Sequence, residues 1–322
     1  MKPSPTRPLG SLIKRLDIYE LYDHPKYKAE GTLRNVLRLT PNLKVLTVLT
    51  ASTMVELPYI PPSLEYLSTF YDESKSTHTD AAIVESNPRL RYIDFISSPS
   101  IHPSPTPNWY ASLTGLSLVG LEECRLALTF PPTAFPNLRY IRLSDLPWSS
   151  QSVESFLRLH GASLHTLHMS AGWAESGSSP TNTLNDLLSF CPNLQELRLS
   201  CSIAPQSTFE RFHPTPWTQL HLPMDTKFAS CINIERLSVE NAWSQWSRKL
   251  CTQMFDWMLT WIGREDLSSL KRIQFFSEMN ARHLQQKHAN LLAAFVEKCA
   301  QSGVVVVDHF ERNLKNAHAV GV

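Results

Sequence analysis

Glycine is scarce in this chain, with 10 dispersed among 322 residues. That leaves no Gly-x-Gly-x-x-Gly and no Gly-x-x-x-x-Gly-Lys-Ser/Thr, so no backbone cradle for phosphates can be assembled. His-Glu-x-x-His and Gly-x-Ser-x-Gly are also missing, and no catalytic, cofactor or metal constellation is assigned. No apolar run approaches the roughly 20 residues of a membrane span. The N-terminus, "MKPSPTRPLGSLIKRL", lacks the apolar core of a signal peptide. Neither charge dominates, with 30 Lys and Arg against 29 Asp and Glu and no long run of one sign. Composition therefore predicts neither nucleic acid nor membrane as a partner. Cys124, Cys191, Cys201, Cys231, Cys251 and Cys299 form no Cys-x-x-Cys pair. Without secretory features they read as buried free thiols in a reducing compartment, cytoplasmic or nuclear.

What is present is a repeat. "TPNLKVLTVLT" from Thr40, "FPNLRYIRLSD" from Phe135 and "CPNLQELRLSC" from Cys191 share one phrase, and "NPRLRYIDFIS" from Asn87 is a looser copy. Writing Φ for an apolar residue, Φ-x-x-Φ-x-Φ begins clearly at Leu43, Leu90, Leu113, Leu138, Leu164, Leu194, Ile234 and Leu270. Weaker copies begin at Ile13, Leu64 and Trp217. Most successive starts lie about 20 to 30 residues apart, the leucine-rich-repeat range.

One copy shows the physics. Leu197 and Leu199 are two apart, so in a strand they point to one face, and Glu196, Arg198 and Ser200 point to the other. Upstream, Leu184, Leu187 and Leu188 have helical spacing, and Pro192 ends that helix. Asn193 suits the turn that redirects the chain into the strand. "SVESFLRLHG" reads as a helix closed by Gly161, and "HTDAAIVESNP" as a short helix stopped at Pro88. "ELPYIPPSLEYL" and "TFPPTAFPNLRYI" read as extended, proline-rich crossings. The segments Trp246 to Gly263 and Asn280 to Gly303 read as amphipathic helices, and Val304 to Val307 as a last strand. The expected organisation is one solenoid domain over 1–322. Irregular repeats fill 11–276, a helix–strand cap fills 277–310, and a flexible tail fills 311–322.

These residues, from Ile13 to Phe276, resemble divergent leucine-rich repeats of the ribonuclease-inhibitor-like class, and most of all those of fungal F-box/leucine-rich-repeat proteins. The resemblance implies an α/β leucine-rich-repeat solenoid, a horseshoe with a parallel inner sheet and outer helices or extended crossings. It further implies non-catalytic protein recognition, in its sharper form as a substrate-receptor-like subunit of an SCF ubiquitin ligase. A freestanding scaffold or inhibitor is the alternative. No F-box is found in this chain, so an SCF adaptor is a partner only if that segment lies outside it. The position at which the repeat consensus continues with Asn or Cys holds Ala51, Leu146, Gly172 and Ser202, so the usual asparagine ladder is missing there.

A solenoid binds proteins along its concave strand face, and tyrosine and arginine most often anchor interfaces. The outward positions nominate Tyr66, Phe70, Tyr92, Asp94, Tyr140, Arg142, His168, Arg198, Arg236 and Arg272. Tyr66, Tyr92 and Tyr140 fall in one column, interrupted by Gly115. A linear partner would meet aromatic area first and positive charge later, which suggests an acidic C-terminal portion. His160, His165 and His168 form the best metal candidate by proximity, but the strand reading separates them on the repeat. Insertions at Ser97–Trp109, Ala171–Asn182 and Ser202–Trp217 are recognition loops or plain spacers.

Overall fold

A computed structural model describes residues 9–20, 29–50, 60–70, 87–96, 110–119, 133–144, 151–170, 186–201, 233–241, 248–262 and 269–314. The strands are β1 (Arg15–Glu20), β2 (Val45–Thr50), β3 (Tyr66–Phe70), β4 (Tyr92–Ile96), β5 (Gly115–Val119), β6 (Tyr140–Ser144), β7 (Thr166–Ser170), β8 (Glu196–Cys201), β9 (Arg236–Asn241), β10 (Arg272–Phe275) and β11 (Val305–Val307). They hydrogen-bond in chain order, and the registered neighbours run parallel. Strands β1 to β10 each begin two residues after the first apolar residue of a copy. One parallel strand per repeat, in chain order, is the build of an α/β leucine-rich-repeat solenoid. The chain divides into two compact units, Met1–Arg142 and Leu143–Val322.

In the first unit the opening apolar residues Leu43, Leu64, Leu90, Leu113 and Leu138 are all fully buried. So are their followers Leu46, Leu67, Ile93, Leu116 and Ile141. The copy at Ile13 is the exception: Ile13 is exposed, and among the described strands β1 is paired on one side only. Helix α1 (Ala29–Leu39) was not expected from the sequence; it buries Leu33 and Leu37 beneath the sheet.

The second unit carries α2 (Gln151–His160), α3 (Arg248–Trp261), α4 (Glu278–Lys287) and α5 (Ala289–Gln301). Val153, Phe156 and Leu157 anchor α2, and Met254, Trp257, Met258 and Trp261 anchor α3. The stretch read as one helix from Asn280 breaks at His288, whose φ of −134° and ψ of 31° end α4 and start α5. Gly303, at φ 77°, closes α5 as expected of a C-terminal glycine. Gly161 does not play that part. It opens a 3-10 turn over Gly161–Ser163, and glycine is needed because a Cβ there would lie 2.4 Å from the carbonyl oxygen of Phe190. The copy expected at Trp217 lies outside the described residues, and β8 pairs with β9 from Glu196↔Arg236 to Cys201↔Asn241.

The Pro-Asn-Leu phrase makes the turn expected of it and adds a side-chain bond. The N–H of the opening apolar residue bonds back three residues, as in Leu43 to Thr40, Leu138 to Phe135 and Leu194 to Cys191. The asparagine adds a side-chain bond to the preceding repeat. Asn42 Nδ2 donates to the Ser11 carbonyl at 3.0 Å and Asn137 to Ala111 at 2.8 Å. Asn193 donates to Ala162 at 2.8 Å and Asn233 to Pro192 at 3.1 Å. Ser63 and Ser269 fill the same position with hydroxyl donors to Pro41 and Ile234. Glu311 is the sole described non-glycine residue at positive φ, so the turn at Asn193 is right-handed and its amide is free to bond across the repeat. These donors form a ladder at the entry to the strands, a different position from that of the consensus asparagine.

Residues 311–314, expected to be loose tail, are held. Glu311 lies 3.1 Å from both Arg236 and Arg272, Val307 bridges Asn313, and Leu314 is buried. Burial opposes the charge on Asp308. Hydrogen bonds from the Arg312 side chain and from the N–H groups of Arg312 and Phe310 nevertheless hold its carboxyl below the usual range. The short helix before Pro88, the first four residues of each proline-rich crossing (56–59 and 129–132) and the three insertions lie outside the described residues.

Candidate functional site

In the first unit, strand register aligns Arg15, Val45, Tyr66, Tyr92 and Gly115 in one outward column. Tyr140 continues it, its N–H bonding to Thr114 as that of Gly115 bonds to Arg91. Tyr66 and Tyr92 stack with ring centroids 4.8 Å apart and planes 5° from parallel. Tyr92 and Tyr140 meet at 5.5 Å, tilted by 45°. Gly115 does not interrupt this column; it completes it. A Cβ on Gly115 would lie 2.3 Å from Cδ2 of Tyr92, so the missing side chain is the space that the Tyr92 ring occupies on its way to Tyr140.

The next column is Asp17, Thr47, Ser68, Asp94 and Ser117, followed by Arg142. Thr47, Ser68 and Ser117 are buried, so small polar residues form a floor beside the tyrosines. Ser68 Oγ donates to Asp94 Oδ2 at 3.1 Å, while Asp94 Oδ1 is buried without a hydrogen bond. Burial raises the pKa of Tyr66 and of Tyr92, with Asp94 adding to both and Tyr140 to Tyr92. Both phenols therefore stay neutral. The Tyr92 hydroxyl lies beside Ser117, whose Oγ makes no well-formed bond. Asp94, Tyr140 and Arg142 are half-buried, and the side chain of Phe70 lies outside the described residues.

In the second unit the corresponding face is a polar network. Arg198 grips Glu196 with Nε to Oε1 at 3.0 Å and Nη2 to Oε2 at 3.1 Å, and lies 4.8 Å from the Phe276 ring. Glu196 also accepts from Ser238 at 3.2 Å and faces Arg236 at 3.8 Å. Arg236 and Arg272 share Glu311. The expected positive stretch is thus neutralised: Arg198, Arg236 and Arg272 meet Glu196 and Glu311, and Glu240 stands on the same face. The acidic C-terminal portion inferred for a ligand loses its basis here. His168, read as outward-facing, is only 3% exposed.

His168 Nε2 lies 2.7 Å from Ser200 Oγ, and Ser200 Oγ donates to Glu240 at 3.0 Å. With the hydroxyl proton on Glu240, His168 must donate its own N–H to Ser200. That is the reverse of a base activating a nucleophile. His160 packs on Phe156 at 4.7 Å, and His165 faces the Ser163 carbonyl, so the three histidines occupy separate environments. Among the described residues no group of three or more His, Cys, Asp or Glu is placed to hold a metal. None of the described helices is long and apolar enough to cross a membrane. Cys191, Cys251 and Cys299 are buried free thiols, and burial pushes Cys251 and Cys299 up to about 12.

No protein-family model and no curated protein matches this chain. Among solved structures it is similar to the leucine-rich repeat-containing protein LegL7 from Legionella pneumophila, with 11% identity and a TM-score of 0.48 over 96% of this chain and 94% of that one. The entry asparagines and the buried floor under the tyrosines are the features that sequence reasoning missed. The recurrence of Asn or Ser just before the opening apolar residue was the available signal for the first.

Proposed function

We propose that this protein is a non-catalytic protein-recognition module, and that the Tyr66–Tyr92–Tyr140 column of the first unit is its main contact. The observation that carries the reading is the stacked, half-buried tyrosine column laid over small buried residues. Rings fixed by one another and by Gly115 lose little conformational freedom on binding, which is what makes aromatic anchors effective. Asp94 and Arg142 beside them supply polar contacts. Arg198, Arg236 and Arg272 are spent within the second unit and serve there as structure. The concave-face version and the ubiquitin-ligase substrate-receptor version rest on the sequence resemblance alone, and binding to an SCF adaptor tests the latter. The test of the main reading is affinity capture from a proteome with wild type and with Tyr92→Ala/Tyr140→Ala. Truncating such anchors costs about 2 kcal/mol or more, roughly 30-fold in affinity. Equal capture by the folded double variant would remove the tyrosine column as the site.

A further inference from the structure

We infer that the N-terminal rim of the strands in the first unit docks an acidic, extended protein segment that carries a carboxylate at every third residue. The inference rests on the reading of this strand face as a protein-binding surface, and it adds the chemistry of the partner. The rim is a single file made by the backbone. The N–H of Lys44 bonds to the carbonyl of Lys14, Glu65 to Lys44, Arg91 to Glu65, Thr114 to Arg91 and Arg139 to Thr114, all between 2.8 and 2.9 Å. Four cations, one anion and Thr114 thus stand in file, one residue per repeat. Lys14, Lys44, Arg91 and Arg139 are exposed, and so is Arg89 in the turn before β4. Lys44, Arg89 and Arg91 all lower the pKa of Glu65, after its hydrogen bond to Lys44.

The excess is local. The whole chain carries a net charge of only +1. The equivalent file in the second unit is His165, Gln195, Glu235 and Lys271, in which the one acid and the one lysine pair at 2.8 Å. A basic rim is therefore not a by-product of the repeat.

Spacing selects the ligand. Adjacent strands lie about 4.8 Å apart, so Lys44, Arg91 and Arg139, entering β2, β4 and β6, recur at about 10 Å. A polyproline II segment rises about 9 Å in three residues, which matches carboxylates at i, i+3 and i+6. The residues between them fall toward Tyr66, Tyr92 and Tyr140, one position further along each strand, where prolines or other apolar side chains find aromatic surface. The existing partners of Lys44 and Arg91 leave room. The Lys44–Glu65 pair is about half exposed on both sides, and such a pair is worth little. Arg91 spends Nη1 on the Ser112 carbonyl, and a guanidinium has five donors. Glu65 and Asp94 disfavour a polyanion charged at every unit, so protein fits this strip better than nucleic acid.

The experiment is fluorescence anisotropy with the full chain and a labelled peptide of repeated Glu-Pro-Pro triplets. Its controls are a peptide of the same composition with its glutamates adjacent and a single-stranded oligouridylate of equal charge. The triplet peptide should bind, more weakly as salt rises, and at least about fivefold tighter than the clustered peptide. Arg91→Glu/Arg139→Glu should lose about tenfold or more, and Lys298→Glu, exposed on α5, nothing. Absent binding, equal binding by the clustered peptide, preference for the oligouridylate or an unaffected Arg91/Arg139 variant each overturns the inference. The tyrosine double variant separates the two ideas. If it abolishes proteome capture while the charge-reversed protein captures normally, the recognition face stands and the acidic partner falls.

Discussion

Arg198 and Leu197 adjoin in sequence and differ in what their loss leaves behind. Leu197 is completely buried, so Leu197→Ala should cost about 2 to 5 kcal/mol, the range for cavities in packed cores. On sequence Arg198 looks like a surface residue whose truncation costs nearly nothing. In the fold its side chain is 23% exposed and that of its partner Glu196 only 13%. Arg198→Ala strips Glu196 of two charge-assisted bonds, leaving Arg236 at 3.8 Å and hydroxyl donors from Ser238 and Thr166. We expect a loss of about 1 to 3 kcal/mol in urea unfolding. A change within about 0.5 kcal/mol would mean that Glu196 is solvated well enough without its arginine. His160 gives a pH-dependent prediction. Burial against Phe156 depresses its pKa from 6.5 to about 4. Between those values the unfolded chain takes up a proton that the folded one refuses, so stability falls as pH drops through 6.5 toward 4, by up to roughly 3 kcal/mol. His160→Leu should flatten that slope. An unchanged slope in the variant would show that other groups set it.

At the scale of the element, Gly115 is the informative residue of β5. Gly115→Ala would put a methyl where Tyr92 now lies, 2.3 Å from Cδ2. The ring has to swing away, parting from Tyr140. The expected stability cost is about 1 to 3 kcal/mol; capture of partners should weaken with it, read by unfolding and pull-down on the same protein. A fully stable variant with unaltered capture would show that the Tyr92–Tyr140 contact is dispensable. The strands themselves were legible in the sequence, because Φ-x-x-Φ-x-Φ writes a buried face with period two, and Leu46 with Val48 or Leu197 with Leu199 obey it directly. The tyrosine column was legible as a register. Its continuity across Gly115 was not, since a glycine reads as a gap until the neighbouring ring is seen to fill it. His168 was misread for a similar reason: alternation tells which face a side chain leaves from, and neighbouring strands decide whether it reaches water. The entry asparagines were visible as a recurring letter, but their acceptors lie 26 to 41 residues away, beyond what local turn rules address. Helix α1 was overlooked although Leu33, Val36 and Leu37 have helical spacing and the phrase at Thr40 follows it directly, as the phrase at Cys191 follows its own helix.

At the scale of the whole molecule the question is how a stack of strands ends. Each repeat buries its apolar face mainly against its neighbours, so the last one needs a cover. In the second unit we propose that α4, α5 and β11 are that cover. Phe295 of α5 stacks on Phe255 of α3 at 4.5 Å and meets Phe275 of β10 edge-on at 6.5 Å. Leu284, Leu292, Val296 and Cys299 are buried beside them, and β11 satisfies the outer edge of β10 in the register Arg272↔Val305 to Gln274↔Val307. Glu311 then joins Arg236 of β9 to Arg272 of β10, carrying the cover past the boundary expected from the sequence. Deleting the chain from Asn280 onward would uncover Phe255 and Phe275, free the backbone of β10 and strip Arg236 and Arg272 of Glu311 at once. An open apolar edge recruits other chains, so aggregation or loss of cooperative unfolding is expected. Phe295→Ala provides the graded version, costing about 3 to 5 kcal/mol while keeping β11 in the sequence. A truncated protein that stays monomeric and melts at the wild-type temperature would make this segment an appendage, and the end of the sheet would have to be stable with β10 as its edge.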